Sequence, residues 1–168
     1  MTIRAFVPFP DKRLQTRAAE VGSVDDTVRT LWDDMLETMY AMPGIGLAAP
    51  QIGVLQRVIV VDASSSKSEP MRMADPEIIS ASEAQVDYDE GSPNLPGVHA
   101  KISRAKKITV SYLDHHGFRV RHDFEDLWAV SVQHQIDHLN GRMYFDNLSP
   151  VKRRMLIARA AKLARKQG

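Results

Sequence analysis

Cysteine is absent from this chain of 168 residues. That absence excludes a disulfide framework, a thiolate nucleophile and any thiolate metal ligand. A surplus of charge is missing too: 22 Lys and Arg oppose 21 Asp and Glu, a formal net charge of +1. Composition therefore makes no case for nucleic acid as the main partner, and DNA is not an expected one. No run of about 18 apolar residues occurs, so no membrane span is expected. The first residues, Met1-Thr2-Ile3-Arg4-Ala5-Phe6-Val7-Pro8, hold no apolar stretch of signal-peptide length. A soluble, cytoplasmic protein is the expectation. What is present is ordinary for a globular chain, with 43% hydrophobic and 26% charged residues. The length predicts one domain over residues 1–168, burying roughly 70% of the surface that the unfolded chain exposes.

Periodicity divides the chain into helices and strands. Residues 1–22 read as irregular, punctuated by Pro8 and Pro10. Ser23 with Asp26 resembles a capping box, and Val28, Leu31, Trp32, Met35, Leu36 and Met39 follow at helical spacing to about Tyr40. Pro43 and Gly44 stop that helix. Residues 57–62 form a short Val/Ile-rich strand, followed by a polar loop at 63–69. Further strands are expected around Ile78 and Ile79 and over 84–88. Segments 107–114 and 118–124 alternate apolar and polar residues across His115-His116-Gly117, the pattern of a hairpin. A second helix is expected over 126–139, with Gly141 placed to cap it, and a third over 151–166. This order predicts an α+β fold with the middle helix packed on sheet.

Within the second helix, residues 134–138 read His-Gln-Ile-Asp-His. Histidines four apart lie one turn above each other, so both imidazoles can reach one metal ion. The residue after the first is normally Glu, because a metal-bound water needs a base beside it. Here it is Gln135, which has the shape of Glu but takes no proton near neutral pH. Leu127, Val130 and Ile136 are expected to pack inward near the histidines. Gly44-Ile45-Gly46-Leu47-Ala48-Ala49-Pro50-Gln51 is a run of small residues ending in an amide. Its glycines permit close backbone approach, and the Gln51 amide can donate to a polarised carbonyl oxygen. It is no phosphate loop, because the Gly-Lys-Ser/Thr ending is absent; read alone it is a turn joining helix to strand. Glu90-Gly91-Ser92-Pro93-Asn94-Leu95-Pro96-Gly97, read alone, is an exposed turn.

In order and spacing the three segments resemble the motifs of the peptide deformylase family: Gly-x-Gly-x-Ala-Ala-x-Gln, Glu-Gly-Cys-Leu-Ser, and a His-Glu-x-x-Asp-His type helix segment. The first is intact at 44–51, the second survives as Glu90-Gly91-Ser92-Pro93-Asn94, and the third as His134 to His138. Asp33-Asp34-Met35, Arg104-Ala105, Leu139-Asn140-Gly141 and Leu148-Ser149-Pro150 extend the similarity over nearly the whole chain. The resemblance implies mainly antiparallel sheets around a central histidine-bearing helix, with a C-terminal helix. It implies metal-dependent removal of the N-formyl group from the initiator methionine of nascent proteins. In the family a divalent metal, iron or zinc, is held by the motif Cys and two His. The motif Glu moves protons, and the oxyanion is met by the motif Gln and by the N–H following the Cys.

Carried across, the resemblance makes His134 and His138 metal ligands and Gln51 the oxyanion donor. It places Gly44, Gly46 and Leu47 along the substrate cleft, facing a formyl-methionyl peptide N-terminus. Three positions depart from the pattern. Ser92 stands at the thiolate position, and a hydroxyl binds metal far more weakly. Pro93 stands where an N–H is needed and has none. Gln135 stands at the base. The expectation is a deformylase-like protein with activity lost or strongly impaired and its metal weakly bound or absent. Asp89, Glu90 and His99 lie within reach as substitute third ligands, although the resemblance gives Glu90 a structural role with Arg104 as its ion-pair partner. Asp137 is expected as a hydrogen-bond acceptor. The alternatives are an active metallohydrolase with a substituted third ligand, and a protein that binds ribosomes or peptide N-termini.

From Ser149 to Gly168 the basic residues are Lys152, Arg153, Arg154, Arg159, Lys162, Arg165 and Lys166, with no acid. Val151, Leu156, Ala160 and Leu163 form a modest apolar stripe. Late Lys and Arg suit the helix dipole of a solvated helix, and a cationic face also suits ribosomal RNA. The resemblance implies docking of this helix near the ribosomal exit site.

Overall fold

Alternation along one short strand sets the architecture. In the computed structural model, which describes residues 2–167, β2 (Val58–Val61) is buried at every position. Successive side chains of a strand point to opposite faces, so Val58 and Val60 enter one apolar cluster while Ile59 and Val61 enter another. Helix α1 (Asp26–Ala41) covers the first face through Leu31, Trp32, Met35 and Met39. Helix α2 (Leu127–Leu139) covers the second through Ala129, Val132, Ile136 and Leu139.

The sheet between them also contains β1 (Gly46–Ala48), β3 (Met71–Ala81), β6 (Lys107–Leu113) and β7 (Arg119–Glu125). Its order is β1-β2-β3-β6-β7, and every pairing is antiparallel. The hairpin expected at 115–117 joins β6 to β7, closed by the Asp114 N–H donating to the Phe118 carbonyl at 2.9 Å. A separate two-stranded sheet, β4 (Gln85–Ser92) and β5 (Leu95–Ala105), leans on α2, and α3 (Pro150–Gln167) packs against β5. A third cluster joins Leu95, Val98 and Ile102 of β5 to Leu156 and Ala160 of α3 and to Tyr144 and Phe145. The α+β class and the antiparallel sheets around a central helix are as expected. Among the described residues no helix is long and apolar enough to cross a membrane.

Several local expectations are corrected. The cap of α1 is Asp25, whose side chain accepts the Val28 N–H at 3.0 Å; Ser23 lies outside the helix. The N-terminal segment carries a short 3-10 helix at Lys12–Gln15. Strand β3 begins at Met71 rather than near Ile78, because Met73 and Ala74 are drawn into the core beside β2. Residues 44–51 form strand β1 and a 3-10 turn, Ala49–Ile52, rather than a plain loop.

The end of α2 is fastened to the N-terminal segment. The Leu139 carbonyl accepts the Ala18 N–H at 2.8 Å and an Arg57 N–H at 2.9 Å. Gly141 follows with φ +75°, and a Cβ there would stand 2.8 Å from the Gln15 backbone. Gly141→Ala is therefore expected to destabilise the protein by about 2 kcal/mol or more, read as a lower urea midpoint with an unchanged slope.

Candidate active site

Helix α2 turns its second face toward the β4–β5 hairpin, where Ser131, His134 and Gln135 line a cavity of about 420 Å³. Gly44 and Gly46 line it from the β1 side, Gln51 from the 3-10 turn, and Ser92 and Pro93 from the hairpin. Leu47 does not. It is fully buried among the α1 residues, because alternation along β1 turns its side chain away from Gly46 and into the core. The 90–97 segment is no exposed turn either: Ser92, Asn94 and Leu95 are buried at the tip of the hairpin.

His134 and His138 meet edge to face on α2 with ring centroids 5.0 Å apart. Nδ1 of His134 donates to Oε1 of Glu90 at 2.7 Å. Glu90 also receives Arg104 Nε on Oε2 at 2.7 Å and Arg104 Nη2 on Oε1 at 2.9 Å. Arg104 Nη1 then reaches Asp137 Oδ2 at 3.0 Å, and Asn147 Nδ2 donates to the same oxygen at 3.3 Å. Burial pushes the Glu90 carboxyl up, but the hydrogen bonds from His134 and Arg104 outweigh it and hold the pKa below the ordinary value. Tyr144 stacks along the far side of His134, and burial with the nearby Glu90 charge pushes its hydroxyl up to about 12. His138 is 1% exposed, and neither ring nitrogen has a hydrogen-bond partner among the described residues. Burial first, then the charges of His134 and Arg104, keeps its pKa well below the usual imidazole value.

The carboxylate–His134 contact is the arrangement that orients a metal-binding imidazole, and the orphaned nitrogens of His138 suit a ligand. The third position does not. Ser92 Oγ donates to Asn94 Oδ1 at 3.0 Å and accepts the Asn94 N–H at 3.3 Å. Among the described residues no group of three or more His, Cys, Asp or Glu is placed to hold an ion. Glu90 is spent on His134 and Arg104, and Asp89 and His99 are exposed on the hairpin strands. Asp89 and His99 line the cavity from the hairpin but form no three-ligand group with the histidines of α2. With Ser92 engaged by Asn94 and Glu90 by His134 and Arg104, two histidines lack a third protein ligand, and the residues present do not fit a tight divalent site.

Gln51 also sits differently from the expectation of a free donor. Its Oε1 accepts the Ala48 N–H at 2.9 Å, and its Nε2 donates to Asn94 Oδ1 at 2.8 Å, with Ser92 Oγ at 3.5 Å. Gln135 is 4% exposed, and its Oε1 has no partner among the described residues. A Cβ on Gly46 would stand 2.4 Å from Gln135 Nε2 and 2.5 Å from Ser131 Oγ, so a larger residue there would displace these two side chains. Asn94 and Ser131 are the site residues that sequence reasoning missed. Asn94 had a signal, since it stands where the compared motif has Ser.

Fold and site together define an α+β protein organised around a paired-histidine helix, with a Gly-rich strand and a tight hairpin closing the cavity above it. A family model described as polypeptide deformylase matches residues 3–154. A peptide deformylase of Xylella fastidiosa strain M12 is 46% identical over 99% of this chain and 99% of its own, and one of Methylocella silvestris is 45% identical over 98% and 87%. The crystal structure of a Legionella pneumophila peptide deformylase superposes with a TM-score of 0.91 at 40% identity, covering 99% of this chain and 98% of that one. The Ehrlichia chaffeensis peptide deformylase structure gives 0.92 at 35% identity, covering 99% of each. The chain belongs to the peptide deformylase family.

Removing one member of a buried ion pair strands the other. Arg104→Ala is expected to cost about 3–5 kcal/mol, measured by chemical unfolding at pH 7. Glu90 has a lower pKa folded than unfolded, so its contribution is present above the unfolded value. The unaltered protein should therefore lose stability as pH falls below about 4. The Arg104→Ala variant should show a smaller loss over the same range, and an identical acid profile would refute the assignment.

Proposed function

We propose that this protein is a peptide deformylase homologue whose hydrolysis of formyl-methionyl peptides is lost or reduced close to background, and whose cleft retains the capacity to bind peptide N-termini. The observation that carries this reading is the concentration of departures around one cavity. Ser92, Pro93 and Gln135 line it at the ligand, oxyanion-donor and base positions, together with Gly46 and His134, while His138 is buried one turn further along α2. A general acid/base contributes about 10²- to 10⁴-fold and an oxyanion donor about 10²- to 10³-fold. Groups that act as a unit are not additive, but loss of both with a weakened ligand set leaves little catalysis. The reading takes the chain as one cytoplasmic domain, with any iron or zinc weakly held.

With carboxamide at position 135, the base position offers no carboxylate to accept a proton from attacking water, and the Glu90 carboxylate beside His134 is engaged by His134 and Arg104. With Pro at 93, the hairpin tip offers no N–H there to a developing oxyanion. An active metallohydrolase using a different third ligand is the competing reading, and the commitment of Ser92 and Glu90 to other partners weighs against it.

Purified protein is expected to carry well under one equivalent of iron or zinc by elemental analysis. It should release no free Met-Ala-Ser from formyl-Met-Ala-Ser above the buffer rate, even with added metal. Stoichiometric metal with ordinary enzyme turnover would sink the proposal. Combining Ser92→Cys, Pro93→Leu and Gln135→Glu should restore measurable hydrolysis, whereas Gln135→Glu alone should not.

A partner reading rests on α3. Lys152, Arg154, Arg159, Lys162, Arg165 and Lys166 are exposed, whereas Arg153 is tied to Asp146 at 2.7 Å. We propose that this face contacts ribosomal RNA. Co-sedimentation with ribosomes should weaken as salt rises and be lost in Arg154→Glu/Lys162→Glu, positions that leave the buried Leu156 and Ala160 in place. Binding insensitive to both would reject it.

A further inference from the structure

The residues at the ligand, donor and base positions do not account for the behaviour of Gln51, which is the right residue in the right place. Its carboxamide is held by its neighbours. Oε1 takes the Ala48 N–H, one Nε2 proton goes to Asn94 Oδ1 at 2.8 Å, and the partner available to the other is Ser92 Oγ at 3.5 Å. Asn94 is itself fixed on all sides. Its Nδ2 donates to the Val7 carbonyl at 2.6 Å and to the Gln51 carbonyl at 3.0 Å, its backbone carbonyl accepts the Phe9 N–H at 2.8 Å, and its Oδ1 also takes the Ser92 hydroxyl at 3.0 Å. Gln51 is 1% exposed and Asn94 2%. A buried amide pair held by short contacts does not release the Nε2 proton bound to Asn94 without leaving Asn94 Oδ1 with one partner fewer.

We propose that Asn94 is a positioning residue that withholds the Gln51 amide from the oxyanion position, a fourth determinant of lost activity beside Ser92, Pro93 and Gln135. The inference rests on the reading of impaired catalysis above. A serine at this position has a single hydroxyl on Cβ, too short to hold Gln51 Nε2 and reach the Val7 carbonyl together. Asn supplies both contacts, so the hairpin tip and the N-terminal segment close on Gln51 as one buried unit. Pro93 removes one donor covalently, and Asn94 removes the other by occupying it. A formyl oxygen entering the cavity then meets neither.

Two measurements test this. In the unaltered protein, the side-chain NH₂ protons of Gln51, followed by ¹⁵N NMR, should exchange slowly and stay unshifted when formyl-Met-Ala-Ser is added. In Asn94→Ser they should exchange faster and shift on addition of the peptide. If Asn94→Ser does not fold, Asn94→Thr, which refills more of the volume, serves in its place. Equal exchange and equal shifts in the two proteins overturn the proposal. The second measurement adds Asn94→Ser to the Ser92→Cys/Pro93→Leu/Gln135→Glu background. An oxyanion donor acts in the transition state, so kcat should rise about 100-fold with KM little changed. A change confined to KM, or none, overturns the assignment, since a merely structural role moves stability and not this ratio. Ordinary turnover by the unaltered chain would instead overturn the reading of impaired catalysis, so the two failures are distinguishable.

Discussion

Glu90 is a buried carboxylate shared between a guanidinium on the neighbouring strand and an imidazole on the central helix, and the geometry of the cavity depends on that sharing. Arg104 grips it from within the same two-stranded sheet, and His134 reaches it from α2. An ionised carboxylate in such a place is tolerated only with all of its strong acceptor sites used. The hairpin is thereby fixed at one height above the helix, and with it Ser92, Pro93 and Asn94 at its tip. The same anion sets the His134 ring by holding Nδ1, which leaves Nε2 as the ring's uncommitted nitrogen.

The scaffold around this pair is shared with its relatives. Helix α2 presents two histidines, and His138 is buried with neither ring nitrogen hydrogen-bonded among the described residues. Gly46 still allows β1 to lie against Gln135 and Ser131. The hairpin tip is a network of hydroxyl and amide groups that meet one another. Such a network costs little to bury, because neutral hydrogen-bonded residues are cheaper to bury than an unpaired anion.

The spacing of apolar residues made both long helices legible, and alternation did the same for the β6–β7 hairpin. Each rests on contacts between near neighbours in sequence or on one repeating face. The long β3 and the β4–β5 hairpin were less so. Their buried positions depend on which strand lies beside them, and polar residues such as Asp75, Asp87 and Asp89 mask the strand pattern. Ser23 misled for a similar reason: it and Asp25 are both capping types two residues apart, and the choice between them follows from where the chain enters α1.

The order of residues alone determined which chemical groups this protein has at these positions: a hydroxyl at 92, a proline without an N–H at 93, a carboxamide at 135, and two histidines one turn apart. No fold can alter those, since pKa range, ligand softness and hydrogen-bond capacity belong to the side chain. Only the tertiary structure decided which groups are free to act. That Leu47 faces the core, that Glu90 is used up by Arg104 and His134, and that Gln51 is held by Asn94 all depend on residues far apart in sequence meeting in a space closed to water. There each buried donor takes the acceptor that packing places beside it.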